Sequence, residues 1–117
     1  MKTNPFFEYI VYDVFGETYP LTFRYMMGAH ILYYEGRAFA IVENDELYFK
    51  GSEDLGGWYM SRERIQFKYK RQGENVPLDY FSVPQEIYED KTLLEEWLVV
   101  ALSVAKPPKP KKKRKVQ

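Results

Sequence analysis

Arg24-Tyr25-Met26-Met27-Gly28-Ala29-His30-Ile31-Leu32-Tyr33-Tyr34-Glu35-Gly36-Arg37-Ala38-Phe39-Ala40-Ile41-Val42-Glu43-Asn44-Asp45-Glu46-Leu47-Tyr48-Phe49-Lys50 holds three short apolar runs, each closed by a turn signal. The breaks fall at Gly28-Ala29, Glu35-Gly36-Arg37 and Glu43-Asn44-Asp45-Glu46. Glycine reaches positive φ without steric cost, and Asn or Asp tolerates it better than most residues, so these are hairpin corners. The stretch predicts a tight antiparallel meander with strands near 30–35, 38–43 and 46–50.

Outward from the meander, Leu21, Phe23, Tyr25 and Met27 alternate with Thr22, Arg24 and Met26, which predicts a preceding strand that starts after Pro20. Before it, Asn4-Pro5 has the form of a helix start, Phe6, Phe7, Ile10, Val11 and Val14 recur at helical spacing, and Gly16 ends the run. Beyond Lys50, residues 51–62 predict a broken helical turn weakened by Gly56-Gly57, with Trp58 folded onto the core. Ile65, Phe67 and Tyr69 against Gln66, Lys68 and Lys70 have a period of two, a strand with one wet face. Gly73-Glu74-Asn75 turns the chain into a return strand carrying Val76, Leu78 and Tyr80, and Pro77 argues that this strand lies at an edge. Pro84 starts a helical turn through Tyr88. Asp90 caps a last helix, 91–105, whose inner face carries Leu94, Leu98, Ala101 and Ala105 flanked by Leu93, Trp97, Val100 and Val104, with Val99 opposite. The expectation is a two-layer α+β domain at 1–105: an antiparallel sheet of five to six strands, with the N- and C-terminal helices packed on one face.

The ordered set Met26-Met27-Gly28, Leu32-Tyr33 ahead of Gly36, Ala38-Phe39-Ala40-Ile41, Leu47-Tyr48-Phe49-Lys50, Tyr80, Val83-Pro84 and Leu94-Glu95-Glu96-Trp97 with Ala101-Leu102 resembles the N-terminal domain of the TfoX/Sxy competence-regulator family. The likeness covers roughly residues 5–105. It departs where that family usually has Met-Phe-Gly-Gly, since Met27 and Ala29 replace the aromatic and the second glycine. The resemblance implies a non-enzymatic regulatory domain acting with transcription machinery on DNA-uptake genes. It also marks Met26, Gly28, Leu32, Tyr33, Gly36, Phe39, Leu47, Tyr48, Lys50, Tyr80, Pro84 and Trp97 as mostly structural motif positions. The full-length regulators of that family carry a second, C-terminal domain that this chain does not show.

Composition limits the functional classes. Apolar residues make up 45% and aromatics 18% of the 117 residues, a globular balance for one core. With no cysteine, disulfides and thiolate chemistry are excluded. The N-terminal apolar stretch is interrupted by Glu8 and Asp13 and has no small-residue cleavage site, so it does not read as a secretory signal. The longest apolar run, 97–102, is far short of the roughly 20 residues needed to span a bilayer. A soluble chain without a membrane partner is expected, cytoplasmic in a bacterium and nuclear in a eukaryotic cell, as a monomer or weak dimer.

The formal charge is zero, but it is divided. Seven of the seventeen basic residues lie from Lys106 onward, where there is no acid; residues 1–105 keep ten basic against seventeen acidic residues, a formal −7. Within that body no catalytic set is evident. His30, the only histidine, has no serine or cysteine motif near it and reads as a solvated residue beside a turn. One histidine without cysteine cannot supply a usual zinc site, and Glu43, Asp45 and Glu46 lack the calcium-loop pattern. Gly28, Gly36, Gly51, Gly56 and Gly57 form neither a dinucleotide fingerprint nor a Walker loop. Tyr25, Tyr33, Tyr34 and Tyr48 could stack nucleic-acid bases, yet the negative body would repel backbone phosphates, and core or rim packing is the expectation. No catalytic residue, metal or cofactor is expected.

The segment 106–117 is predicted to be a disordered basic tail. Pro110-Lys111-Lys112-Lys113-Arg114-Lys115-Val116 is similar, residue for residue, to the monopartite nuclear-import signal of a viral large tumour antigen. Lys109, Lys111, Lys112, Lys113, Arg114 and Lys115 are thus candidate contacts either to nucleic acid, without sequence preference, or to an import receptor; an appended segment foreign to the domain is a further reading. The expected function is an interaction domain with a protein partner and a nucleic-acid tether. The alternatives are a nuclear-directed protein and a small-ligand protein or enzyme of unknown reaction.

Overall fold

The computed structural model describes residues 4–26 and 28–106; Met27 and the predicted basic tail from Pro107 onward, with Lys109, Lys111, Lys112, Lys113, Arg114 and Lys115, lie outside the described residues. Helix α1 spans Pro5–Glu8 and continues as a π-helical segment, Tyr9–Phe15. Strands β1 (Leu21–Met26), β2 (Ala29–Tyr34), β3 (Arg37–Glu43) and β4 (Glu46–Lys50) follow. Then come α2 (Gly56–Met60), β5 (Gln66–Arg71), β6 (Glu74–Ser82), a 3-10 turn (Gln85–Tyr88) and α3 (Lys91–Val104). The six strands form one antiparallel sheet in the order β1-β2-β3-β4-β6-β5. The α+β architecture, with terminal helices over one face, is the one expected from the sequence.

Local chemistry sets the corners. Glu35-Gly36, Asn44-Asp45 and Gln72-Gly73 each place two successive residues at positive φ (53° and 79°, 52° and 58°, 52° and 82°). Two left-handed residues in a row give the hairpin twist that matches the right-handed twist of the strands. The third corner therefore lies one residue earlier than Gly73-Glu74-Asn75, and Glu74 already belongs to β6. Both main helix starts are capped by side chains: Asn4 Oδ1 accepts from the Phe7 amide at 2.8 Å and Asp90 Oδ1 from the Leu93 amide at 3.0 Å.

Three expectations need correction. The first helix is not α-helical throughout. The Gly16 amide donates to the Val11 carbonyl at 3.1 Å, five residues back, and the wider π turn brings the pair Val14-Phe15 back over Ile10-Val11, all four buried. Nor is β6 an edge strand, since it runs between β4 and β5. Pro77 is tolerated because β4 pairs only with Tyr80, Phe81 and Ser82 of β6, so that the Pro77 half of the strand has a neighbour on one side alone. Similarly, Gly56-Gly57 opens α2 rather than breaking it.

The core lies between the helices and one face of the sheet. Phe7, Ile10, Val14 and Phe15 from the first helix and Leu94, Trp97, Leu98 and Ala101 from α3 meet Leu32, Phe39, Val42, Leu47, Phe49 and Phe81 in a single buried cluster. Trp58 packs edge-on to Trp97, with ring centroids 4.9 Å apart, as the sequence leads one to expect. Tyr59 is fully buried and stacks on Phe81 at 4.7 Å, and its hydroxyl donates to the Lys50 carbonyl at 2.8 Å. Gly51 lies against that stack: a Cβ there would meet Phe81 Cε1 and Tyr59 Cε2, both at 2.9 Å.

The opposite face carries a second cluster, Ala29, Ile31, Ile41 and Phe67 with Tyr33, Tyr48, Tyr69, Leu78 and Tyr80 around it, and no helical residue. In a flat sheet β3 and β5 would be about 14 Å apart across three strand spacings. Ile41 and Phe67 share this cluster, so the sheet curls and its own far hairpin covers the face. Phe67 and Tyr69 therefore turn inward on the side away from the helices, while Ile65, expected beside them, is 69% exposed. Ile65 precedes β5, and the register of β5 against β6 shifts between Gln66 and Lys68, which breaks the alternation there.

Two substitutions test this packing. Trp97→Ala should lower unfolding free energy by about 3–5 kcal/mol, the usual cost of deleting a buried indole, and Gly51→Ala by about 1–3 kcal/mol through overpacking against Tyr59 and Phe81. Urea denaturation followed by far-UV circular dichroism measures both.

Candidate functional site

The motif positions separate into three groups. Leu32, Phe39, Leu47 and Trp97 are core residues, and Pro84 holds the extended conformation that leads into the 3-10 turn. Gly28 and Gly36 are corner residues at φ 76° and 79°; a Cβ at Gly28 would meet nothing within 4 Å, so conformation and not space requires glycine there. Met26 is 38% exposed on β1. Ala29, in place of the expected second glycine, is buried in the second cluster, and its methyl fills space on that face.

Tyr33, Tyr48, Lys50 and Tyr80 come together, from β2, β4 and β6, on the face away from the helices. Lys50 Nζ stands 4.9 Å from the centroid of the Tyr80 ring, a cation–π arrangement. Burial pushes the Tyr80 hydroxyl up to about 12, with Tyr33 adding to the shift, and burial followed by Glu46 and Glu43 raises Tyr48. Burial lowers the Lys50 ammonium from its ordinary value; Asp79 opposes that shift and Lys106 reinforces it. These phenols stay protonated at neutral pH. They can donate hydrogen bonds and present rings but cannot act as bases there.

Of the predicted rim tyrosines, Tyr33, Tyr34 and Tyr48 are half-buried, but Tyr25 is 49% exposed on β1. His30 also departs from the expectation of a solvated residue. It is 7% exposed and packed among Phe7, Phe23 and Tyr25, with ring centroids at 4.3, 5.9 and 5.0 Å, and its Nε2 has no hydrogen-bond partner. Sequence reasoning read it as a turn residue because Gly28 is two positions away. The signal that could have found it is the apolar run it opens, His30-Ile31-Leu32, in register with Tyr25 on β1.

A cleft of about 640 Å³ opens where the 3-10 turn meets β4, lined by Glu46, Arg64, Pro84, Glu86, Tyr88 and Glu89 among others. Burial, then Glu46 and Tyr9, raises the Tyr88 hydroxyl to about 12. The lining has no histidine, serine or cysteine; its ionisable side chains are Glu46, Glu86, Glu89, Tyr88 and Arg64. Among the described residues no group of three or more His, Asp or Glu is placed to hold a metal ion, and no helix is long and apolar enough to cross a membrane.

This curled sheet, with helices on one face and the Tyr33-Tyr48-Lys50-Tyr80 group on the other, belongs to a chain whose residues 13–105 match the TfoX N-terminal domain. The chain belongs to the TfoX N-terminal domain family. It is also similar to Protein Sxy of Escherichia coli (strain K12), at 24% identity over 74 residues that cover 63% of this chain. The aligned region is 35% of that relative, so the chain spans about a third of its length. Within the TfoX N-terminal match lie the meander, α2, both later strands and α3, so the motif residues occupy the sheet and its corners, apart from Pro84 before the 3-10 turn and Trp97 on α3.

The buried histidine makes a pH prediction. Burial lowers the His30 imidazole from its ordinary value, so the folded state resists the proton that the unfolded chain takes up near pH ~6.5. This contribution to stability is complete above about pH 6.5 and declines as the pH falls below it. His30→Phe should therefore lose less stability than the parent between pH 7.5 and 5.5, measured as the shift in urea midpoint.

Proposed function

We propose that this TfoX N-terminal domain is a non-enzymatic regulatory module that binds a protein of the transcription machinery and acts on DNA-uptake genes, in the cytoplasm of a bacterial cell. The observation that carries this reading is the free edge at β1. Leu21–Met26 pairs with β2 on one side only, has Arg24 as its single charged residue, and exposes Tyr25 and Met26 at 49% and 38%. An edge of this kind accepts an extended strand from another chain by main-chain pairing, with side-chain contacts choosing the partner. Membership in the TfoX N-terminal family and the likeness to Protein Sxy support the regulatory assignment. The open cleft, lined by Glu46, Arg64, Glu86 and Glu89, offers charged groups for a polar contact.

The basic tail adds affinity for nucleic acid in this proposal. In a eukaryotic cell the same residues would be read by the import machinery. An acidic body favours basic or apolar protein partners, and a cationic tail favours phosphates, so the two ends recruit different molecules.

A reporter driven by a DNA-uptake promoter, in a host lacking its own regulator, should respond to the intact chain. Tyr25→Lys with Met26→Lys should reduce that response at least fivefold at unchanged protein level, and an unaltered response would contradict the β1 assignment. Replacing Lys109, Lys111, Lys112, Lys113, Arg114 and Lys115 with Gln should flatten the slope of log affinity for a single-stranded oligonucleotide against log salt by about 4, since each of six released contacts is worth roughly 0.7.

A further inference from the structure

The two edges of the sheet are unlike. β1 holds one charged residue, Arg24, whereas β5 at the far edge reads Gln66-Phe67-Lys68-Tyr69-Lys70-Arg71. Five of the ten basic residues of 1–105 (Arg62, Arg64, Lys68, Lys70 and Arg71) fall within 62–71, with Glu63 the one acid among them. The rest of the body has five basic residues against sixteen acidic ones. The body is therefore not uniformly negative.

We propose that the outer edge of β5 is a contact surface for the phosphate backbone of a single-stranded nucleic acid, separate from the tail. Lys68, Lys70 and Arg71 are exposed, and none has an ion-pair partner among the described residues. Across the ladder, Lys68 and Lys70 face Pro77 and Asn75, neither of them acidic. Glu74 opposes Arg71 at the hairpin end, and Asp79 acts on Lys50. Phe67 and Tyr69 point to the buried face, so Lys68 and Lys70 share the other one, about 6.6 Å apart along the strand. At that spacing the two ammonium groups can engage separate phosphates of one strand. β5 also has no neighbour beyond it, and outward backbone amides are donors of the kind that bind phosphate oxygens. At ~0.15 M salt, charges more than about 8 Å away are largely screened, so the local basic row and not the net −7 decides the contact.

Edge lysines have a simpler role, keeping sheets from pairing edge to edge, and the test must distinguish the two. It uses the full chain with the six tail residues from Lys109 to Lys115 changed to Gln, alone and combined with Lys68→Gln, Lys70→Gln and Arg71→Gln. The probe is a 20-nucleotide oligothymidylate, titrated between 20 and 200 mM salt at pH 7.5, with circular dichroism checking the fold and sedimentation the oligomeric state. The tail-neutral chain should retain salt-dependent binding with a slope near −2, three contacts at roughly 0.7 each, and the combined variant should bind at least tenfold more weakly at ~0.15 M salt while staying folded and monomeric. Equal binding by the two, or no binding by the tail-neutral chain, overturns the proposal, and self-association of the combined variant with unchanged binding assigns the lysines to edge protection. Failure of the tail reading looks different: the parent and the tail-neutral chain would then bind alike.

Discussion

A six-stranded sheet has two faces, and this chain has enough helix for one. The curl of the sheet is what resolves that shortage. The helical layer buries Leu32, Phe39, Leu47, Phe49 and Phe81 on one side, and the β5–β6 hairpin folds Phe67 and Tyr80 toward Ile31, Ile41 and Tyr48 on the other. Burial of apolar area at about 25 cal/mol per Å² drives both halves. The Tyr59–Phe81 stack lies against Gly51, and the Tyr59 hydroxyl donates to the Lys50 carbonyl, which ties α2 to the end of β4 and to β6. A side chain at Gly51 would push those rings apart, and the second hydrophobic cluster depends on where they hold β6.

The curl also fixes what is left for recognition. The strand order leaves two edges of different composition, an almost uncharged β1 with exposed Tyr25 and Met26 and a basic β5. The curl turns Tyr48 and Tyr80 partly out of solvent, which raises their hydroxyls and removes them from acid–base chemistry at neutral pH. What remains at the surface is suited to pairing, stacking and charge contact.

His30 shows how packing can overrule residue type. An imidazole with an unpartnered, buried Nε2 costs free energy, and here three aromatic rings surround it. In its neutral form the ring behaves as one more aromatic between the first helix and β1. The charged form has no carboxylate among the ring contacts to compensate burial, which is why acid weakens this corner of the fold.

Much of the fold was legible because its signals are local. Positive-φ pairs at Glu35-Gly36 and Asn44-Asp45, the Asn4 and Asp90 caps, and the inner face of α3 depend on a few neighbouring residues, and the sequence contains them. The motif positions at the corners and in the core were legible for the same reason. The grouping of Tyr33, Tyr48, Lys50 and Tyr80, the burial of His30, the exposure of Ile65 and the place of β6 between β4 and β5 were not. Each depends on which strands pair across long separations and how far the sheet curls, and no local pattern encodes either. The sequence by itself determined how many strands there are, to within a residue or two where most of them lie, and that helices cover one face. Only the tertiary structure decided how the other face is closed and which two edges remain open, because that outcome comes from twist accumulated over six paired strands.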